Sequence, residues 1–105
     1  MLGIGDVINH QELKNECDVD LSRGDLISQN FTGSAIYDDV MICTYLDGKP
    51  HNVNGPARVR LDPNIAEDGS TTVLYVDFWI NGKKIRDEDF LTKSRAYKLR
   101  SIING

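Results

Sequence analysis

Hydrophobic and polar residues alternate most clearly in the middle of the chain, where they predict three β-strands. Residues 40–46 are apolar on both alternating faces except at one threonine, which is typical of a strand covered on both sides. Residues 57–61 alternate apolar side chains with Arg58 and Arg60, so one face of this strand should meet solvent. Residues 72–80 carry an apolar side chain at Leu74 and at each later even position. The pattern therefore predicts an antiparallel sheet.

Turn-forming residues separate these predicted strands. Residues 47–50 and 54–56 contain Gly and Pro, so the first two strands should form a long-looped hairpin. Asn81 and Gly82 favour the positive φ angles of a two-residue hairpin turn, and residues 83–85 are the predicted return strand.

The C-terminal segment, residues 87–103, has the strongest helix signature. Three acidic residues at its start and Lys98 and Arg100 near its end complement a helix dipole, and residues 104–105 are the predicted C-cap. The apolar residues of this helix should form one broad stripe that lies on the sheet: Phe90, Leu91, Ala96, Leu99, Ile102 and Ile103.

The N-terminal third has a weaker pattern. A short helix is predicted over residues 6–16, and from Leu21 to Met41 an apolar residue recurs at every fifth position. Residues 18–41 resemble pentapeptide repeats, because Asp or Asn precedes the central Leu or Phe of several units. Five such units make little more than one coil, so we expect an irregular β-segment, with a solenoid coil as the alternative.

These elements predict an α+β fold in a single domain over residues 1–105. It should comprise an acidic N-terminal segment over 1–38, a small antiparallel β-meander over 39–86 and a C-terminal helix over 87–103. No apolar run approaches the roughly 20 residues of a membrane span, so no membrane contact is expected. Two cysteines are too few for a disulfide scaffold, so we expect a reducing, cytoplasmic location.

The charge of the chain is unevenly distributed. The formal net charge is −4, but residues 1–47 carry nine acids against two bases, and residues 48–105 carry seven acids against ten bases. The two halves could simply attract each other, or each could form an interaction surface. The candidate acidic contact face comprises Asp18, Asp20, Asp25, Asp38 and Asp39. The alternative basic face comprises Lys83, Lys84, Arg86, Lys93, Arg95, Lys98 and Arg100.

One segment carries a family resemblance. Residues 47–57 read Asp-Gly-Lys-Pro-His-Asn-Val-Asn-Gly-Pro-Ala, and residues 78–84 read Phe-Trp-Ile-Asn-Gly-Lys-Lys before an acidic group and Phe90. This resembles the MORN-like repeat proteins of phages and bacteria over residues 46–92. Asn52 and Asn54 replace the usual Arg and Asp, and only one complete repeat is present. The resemblance implies a β-meander and a phage accessory origin, and it implies no catalytic residues.

Catalytic and metal-binding signatures are absent from the sequence. His10 and His51 lie outside any known catalytic motif, and His51 is expected to pack and hydrogen-bond within its loop. Residues 62–69 lack the distal glutamate of a calcium loop and read as a polar turn. We therefore expect no enzyme, no cofactor and no metal.

The favoured function is a non-enzymatic protein-binding module. It would be a phage accessory protein that binds and modulates or inhibits a host protein through the acidic face. A nucleic-acid-binding host protein would offer the basic surface that complements this face, and complementary charge speeds encounter. One alternative is a nucleic-acid-binding accessory factor that uses the basic C-terminal helix. Another is a structural or virion component with strand 40–46 at a subunit contact. The oligomeric state is left open.

Overall fold

A computed structural model describes residues 1–22 and 24–104, with side chains to residue 102. The strands are β1 (Val7–Asn9), β2 (Val19–Leu21), β3 (Gly33–Tyr37), β4 (Met41–Leu46), β5 (Lys49–Pro50), β6 (Arg58–Leu61), β7 (Ser70–Ile80) and β8 (Lys83–Ile85). Helix α1 spans His10–Asn15, a 3₁₀ turn spans Asp87–Asp89, and helix α2 spans Phe90–Asn104. The fold is α+β, as predicted.

The strands form one mixed sheet in the order β1-β7-β6-β4-β3-β2, and β5 and β8 pair with β4 and β7 respectively. All pairings are antiparallel except that of β2 with β3. The predicted strands within residues 40–61 pair as β4 with β6, where Ile42 lies opposite Val59.

The sheet extends further toward the N-terminus than residues 39–86. β1, β2 and β3 all lie within the segment predicted as residues 1–38, and they join the same sheet as the strands of residues 39–86. The predicted helix over 6–16 is a three-residue strand followed by α1, whose N-cap is the Asn9 side chain accepting the Glu12 N–H at 2.9 Å. Strand β1 forms because it pairs with β7, a contact distant in sequence that local pattern does not reveal.

The five-residue apolar period does not build a coil. Leu26 is 92% exposed, whereas Ile36 is fully buried in the sheet. A solenoid would direct both side chains inward, so the irregular β-segment describes this region better. Arg23, in the repeat-like stretch, lies outside the described residues. Gly105, in the predicted C-cap, does so as well.

The core lies on one face of the sheet. Ile36, Ile42, Val59, Val76 and Phe78 share this face through the strand register and are all buried. Helix α1 contributes Leu13 to this cluster, and α2 contributes Phe90, whose ring centroid lies 4.3 Å from that of Phe78.

On the opposite face of the sheet, Ala35 and Cys43 are covered by neighbouring side chains of the same face. These two residues are paired across β3 and β4, and the flanking residues on the same face include Tyr37 and Tyr45. The two tyrosine hydroxyls meet at 3.1 Å, so both rings lean over the small residues between them and bury these residues. Burial, together with the hydroxyl of Tyr37, raises the pKa of Tyr45. The two-sided apolar pattern of β4 is therefore satisfied within the chain.

Candidate functional site

The predicted acidic residues gather around strand β2, at one edge of the sheet. The Lys14 ammonium on α1 lies 3.2 Å from a carboxylate oxygen of Asp20 and 2.8 Å from one of Asp39. This contact raises the pKa of Lys14 and lowers the pKa of Asp39. Asp39 follows Asp38 in the β3–β4 turn, where both residues have positive φ, so they do not alternate along a strand. One cation thus draws together two of the five predicted acids.

Two other acids of this group fix local backbone. The Asp18 carboxylate accepts the Ser34 N–H at 2.8 Å, and the Asp25 carboxylate accepts the Ser22 N–H at 2.8 Å. Asp18 thereby helps to join β2 to β3. Both side chains remain exposed. The acidic face therefore has a structural role, and its charges still reach solvent.

The predicted basic residues do not form one face, and two of them are paired with acidic side chains. Lys84 lies 3.3 Å from Asp77, a carboxylate that also accepts the Tyr75 hydroxyl hydrogen at 2.6 Å. Arg86 contacts Glu88 at 3.2 Å and Asp89 at 3.0 Å. Lys84 shares a sheet face with Trp79, opposite the core, whereas Lys83 shares the face of Ile80. The run Lys83–Lys84 is thus split between two faces.

Three of the predicted cations converge on a cleft between β8 and α2. Lys83 comes from the strand, and Lys93 and Arg100 come from one side of the helix, seven residues apart. The cleft has a volume of about 280 Å³. Its apolar lining consists of Ile80, Ile85, Ala96 and the ring of Tyr97, and Asn81 completes it. Among the described residues no acid lines this cleft, and none forms an ion pair with its three cations.

His51 holds the two walls of this cleft together. Its Nδ1 accepts the N–H of Asn81 at 3.0 Å, and its ring centroid lies 4.9 Å from that of Tyr97. The loop histidine therefore has the packing and hydrogen-bonding role that its sequence context predicts. Burial lowers the pKa of His51, which favours the neutral ring that this hydrogen bond requires.

Most of α2 projects from the body of the domain. Phe90 and Ser94 are buried and Tyr97 is half-buried, whereas Leu91 and Leu99 are each 60% exposed and Ile102 is 78% exposed. The predicted stripe was therefore wrong. Successive residues in a helix turn by about 100°, so burying Phe90 directs its neighbour Leu91 away from the sheet. The side chain of Ile103 lies outside the described part.

A second cleft lies between α1 and the loop 51–56 and has a volume of about 260 Å³. Apolar side chains such as Leu13 and Ile42 line it together with the thiol of Cys17. Burial and the neighbouring acids raise the pKa of Cys17, so the thiol is protonated near neutral pH. Cys17 and Cys43 are both free thiols.

A metal centre and a membrane span were also sought. Within residues 1–22 and 24–104, no three His, Cys, Asp or Glu side chains are grouped so as to hold a metal ion. Over the same residues, no helix has the length and apolar character needed to cross a bilayer.

Comparison with known proteins gives no relative. No family model, curated protein or solved structure matches this chain. The likeness of residues 46–92 to MORN-like repeats therefore stays a prediction.

The cleft between β8 and α2 is the feature that sequence reasoning missed. All three of its cations were named, but as part of a seven-residue face that included Lys84 and Arg86. The useful signal was the helical spacing of Lys93, Tyr97 and Arg100, which places two cations and an aromatic ring on one side of α2.

Proposed function

We propose that the chain is a non-enzymatic protein-binding module, and that the outward side of α2 is its principal contact. The observation that carries this proposal is the exposure of Leu91, Leu99 and Ile102 on a helix anchored mainly by its first two turns. Large exposed apolar side chains that share one helix side are typical of helices that dock into a groove of a partner.

The partner's groove should be apolar with an acidic rim. Arg95 and Lys98 flank the exposed apolar side chains, and the sequence of α2 contains no acid from Phe90 to Asn104. An acidic rim would therefore complement the helix, while like-charged surfaces would be rejected.

The acidic residues around β2 form the second part of the proposal. Asp18, Asp20, Asp25, Asp38 and Asp39 would steer the approach to a partner with a basic surface nearby. Neutralising them should slow association and flatten its salt dependence, because steering acts through long-range charge. Asp20 and Asp39 also hold Lys14, so a stability measurement must accompany each of these variants.

The nature of the partner follows from the resemblance alone. The resemblance of residues 46–92 to MORN-like repeats suggests a phage accessory protein, so we propose a bacterial host protein as the target and the host cytoplasm as the location.

Site-specific cross-linking tests the principal contact. A photoreactive aromatic residue replaces Leu99 in one sample and Glu67, an exposed loop residue, in a control sample. Irradiation in a bacterial lysate should give a discrete adduct only from position 99. An excess of unlabelled wild-type chain should abolish this adduct by competing for the partner. The variant Leu91→Gln, Leu99→Gln, Ile102→Gln lacks the contact side chains, so an excess of it should leave the amount of adduct unchanged. Equal competition by the two chains would contradict the proposal.

A further inference from the structure

The cleft between β8 and α2 has a composition that no structural requirement explains. Lys83, Lys93 and Arg100 line the cleft together with apolar side chains and the ring of Tyr97, and no described acid is part of this lining. Three cations without an acid in one cleft give a local positive potential that favours an anion.

The location of the cleft strengthens this argument. β8 and the acidic strand β2 are separated by β7, β6, β4 and β3, a distance of about 24 Å at 4.8 Å per strand. This exceeds a Debye length of about 8 Å at physiological salt, so the acids at β2 are largely screened from the cleft. The net charge of −4 therefore does not describe what a ligand meets here.

The aromatic and apolar groups narrow the choice of anion. The ring of Tyr97 lines the cleft and packs on His51 behind it, and Ile85 and Ala96 contribute apolar surface to the same lining. A nucleotide unit matches this combination, because its phosphate requires cations and its base stacks on aromatic or apolar groups. Near the cleft, the aliphatic part of the Lys49 side chain packs against Gly82 in the β7–β8 turn.

We propose that the cleft between β8 and α2 binds single-stranded nucleic acid, with Lys83, Lys93 and Arg100 contacting phosphates and a base seated against the apolar lining. A strand is favoured over a single nucleotide because exposed cations bind one phosphate weakly, whereas a polyanion gains from the release of several counterions. This site is independent of the outward side of α2, which lies around the helix from the cleft.

Fluorescence anisotropy tests the proposal with the full chain and a labelled single strand of about ten nucleotides. The wild-type chain should bind the strand at low salt. A plot of the logarithm of the association constant against the logarithm of the salt concentration should have a slope of about −2, as expected for three phosphate contacts on a single strand. The cleft variant, Lys83→Gln, Lys93→Gln, Arg100→Gln, should bind at least about tenfold more weakly, with a slope near zero. The control variant, Arg60→Gln, Arg95→Gln, Lys98→Gln, removes the same charge from outside the cleft and should change affinity less than about threefold.

Two ligand controls complete the test. An abasic strand of the same length should bind about tenfold more weakly, because it lacks the bases that the apolar lining receives. Polyglutamate at equal charge should displace the labelled strand only at about tenfold higher concentration than an unlabelled strand, because it offers no base to the apolar lining. The proposal would be overturned by absent wild-type binding, by equal losses in the two variants, by equal affinity for the abasic strand, or by equal displacement by polyglutamate and the unlabelled strand. The Leu91→Gln, Leu99→Gln, Ile102→Gln variant should bind the strand normally, so this result is separable from the protein contact.

Discussion

Gly48 and Gly82 occupy the same position in two hairpin turns, yet their surroundings differ. Each follows a residue with positive φ, Asp47 or Asn81, and the glycines themselves have φ of 78° and 77°. Both turns thus have the backbone that a tight two-residue hairpin requires. A Cβ at Gly48 would collide with the backbone carbonyl of Gln29, whereas at Gly82 it would meet only the flexible Lys49 side chain at 3.4 Å.

This difference predicts unequal costs for the same substitution. Gly82→Ala should lower the free energy of unfolding by about 1–2 kcal/mol, which is the cost of positive φ for an alanine. Gly48→Ala should cost at least about 3 kcal/mol, because the loop carrying Gln29 must also move. Urea denaturation of the two variants measures the difference. Equal costs would show that the Gln29 loop does not pack on this turn.

His51 predicts a pH dependence of stability. Its folded pKa lies below the ordinary value of 6.5 because of burial, so the folded state binds the proton more weakly than the unfolded state. The stability linked to neutral His51 should be fully present above about pH 6.5 and should decline as the pH falls toward the lowered folded pKa.

The variant His51→Asn isolates this effect. Its side-chain oxygen can accept the Asn81 N–H without titrating, so this part of the pH dependence should disappear. Denaturation between about pH 5 and 8 provides the measurement, and His10→Asn provides a control at the other histidine. An unchanged pH profile in His51→Asn would assign the dependence to other groups.

At the scale of elements, the two halves of α2 differ in how firmly they are anchored to the domain. Its first half is fixed through Phe90, which is 3% exposed and stacks on Phe78. Its second half is anchored through Tyr97 alone among the side chains described as buried or half-buried. A helix of about 15 residues is only marginally stable in isolation, so its outer turns depend on the few contacts near their start.

Substitutions on the two sides of α2 should therefore differ sharply. Phe90→Ala should lower the free energy of unfolding by about 3–5 kcal/mol, because it removes a buried ring and leaves a cavity. Leu99→Gln should change it by less than about 0.5 kcal/mol, since its side chain contacts solvent. Thermal or urea unfolding gives both values. A large cost for Leu99→Gln would place this side chain in the core and remove the proposed protein contact.

At the scale of the whole molecule, the projecting helix determines the shape. The principal extents are 47 × 30 × 19 Å, and the Cα radius of gyration is 14.3 Å. A compact domain of this length would have a radius of gyration of about 13 Å. The molecule is therefore more elongated than a compact domain, which agrees with the exposure of the later turns of α2.

Small-angle X-ray scattering should detect this shape. The distance distribution of the free chain should be asymmetric, with a tail that reaches close to the 47 Å long axis. The tail should persist in Leu99→Gln, because the outward side of α2 contributes nothing to its position. A symmetric distribution with a shorter maximum dimension would mean that α2 folds back on the sheet in solution.

The sequence by itself determined the local structure of the central sheet and its turns. Alternation over residues 57–61 and 72–80 and the Asn81–Gly82 pair were sufficient, because side-chain direction in a strand and positive φ in a turn are properties of a few adjacent residues. The sequence also predicted that His51 packs and hydrogen-bonds, but only the structure identified its partners, Asn81 and Tyr97. The sequence predicted one helix where the structure has strand β1 and helix α1. A strand of three residues forms through pairing with another strand, here β7, and a local pattern does not show this pairing.

Only the tertiary structure decided which side chains act together. Lys14 contacts Asp20 and Asp39, and Lys83 lines the same cleft as Lys93 and Arg100, although each set comes from different elements. A sequence pattern shows that α2 carries apolar and basic residues, but not which side of the helix the sheet covers. The docking of Phe90 on Phe78 makes that choice, since it fixes the helix rotation. That rotation leaves one side of α2 exposed to solvent and turns another toward the cleft.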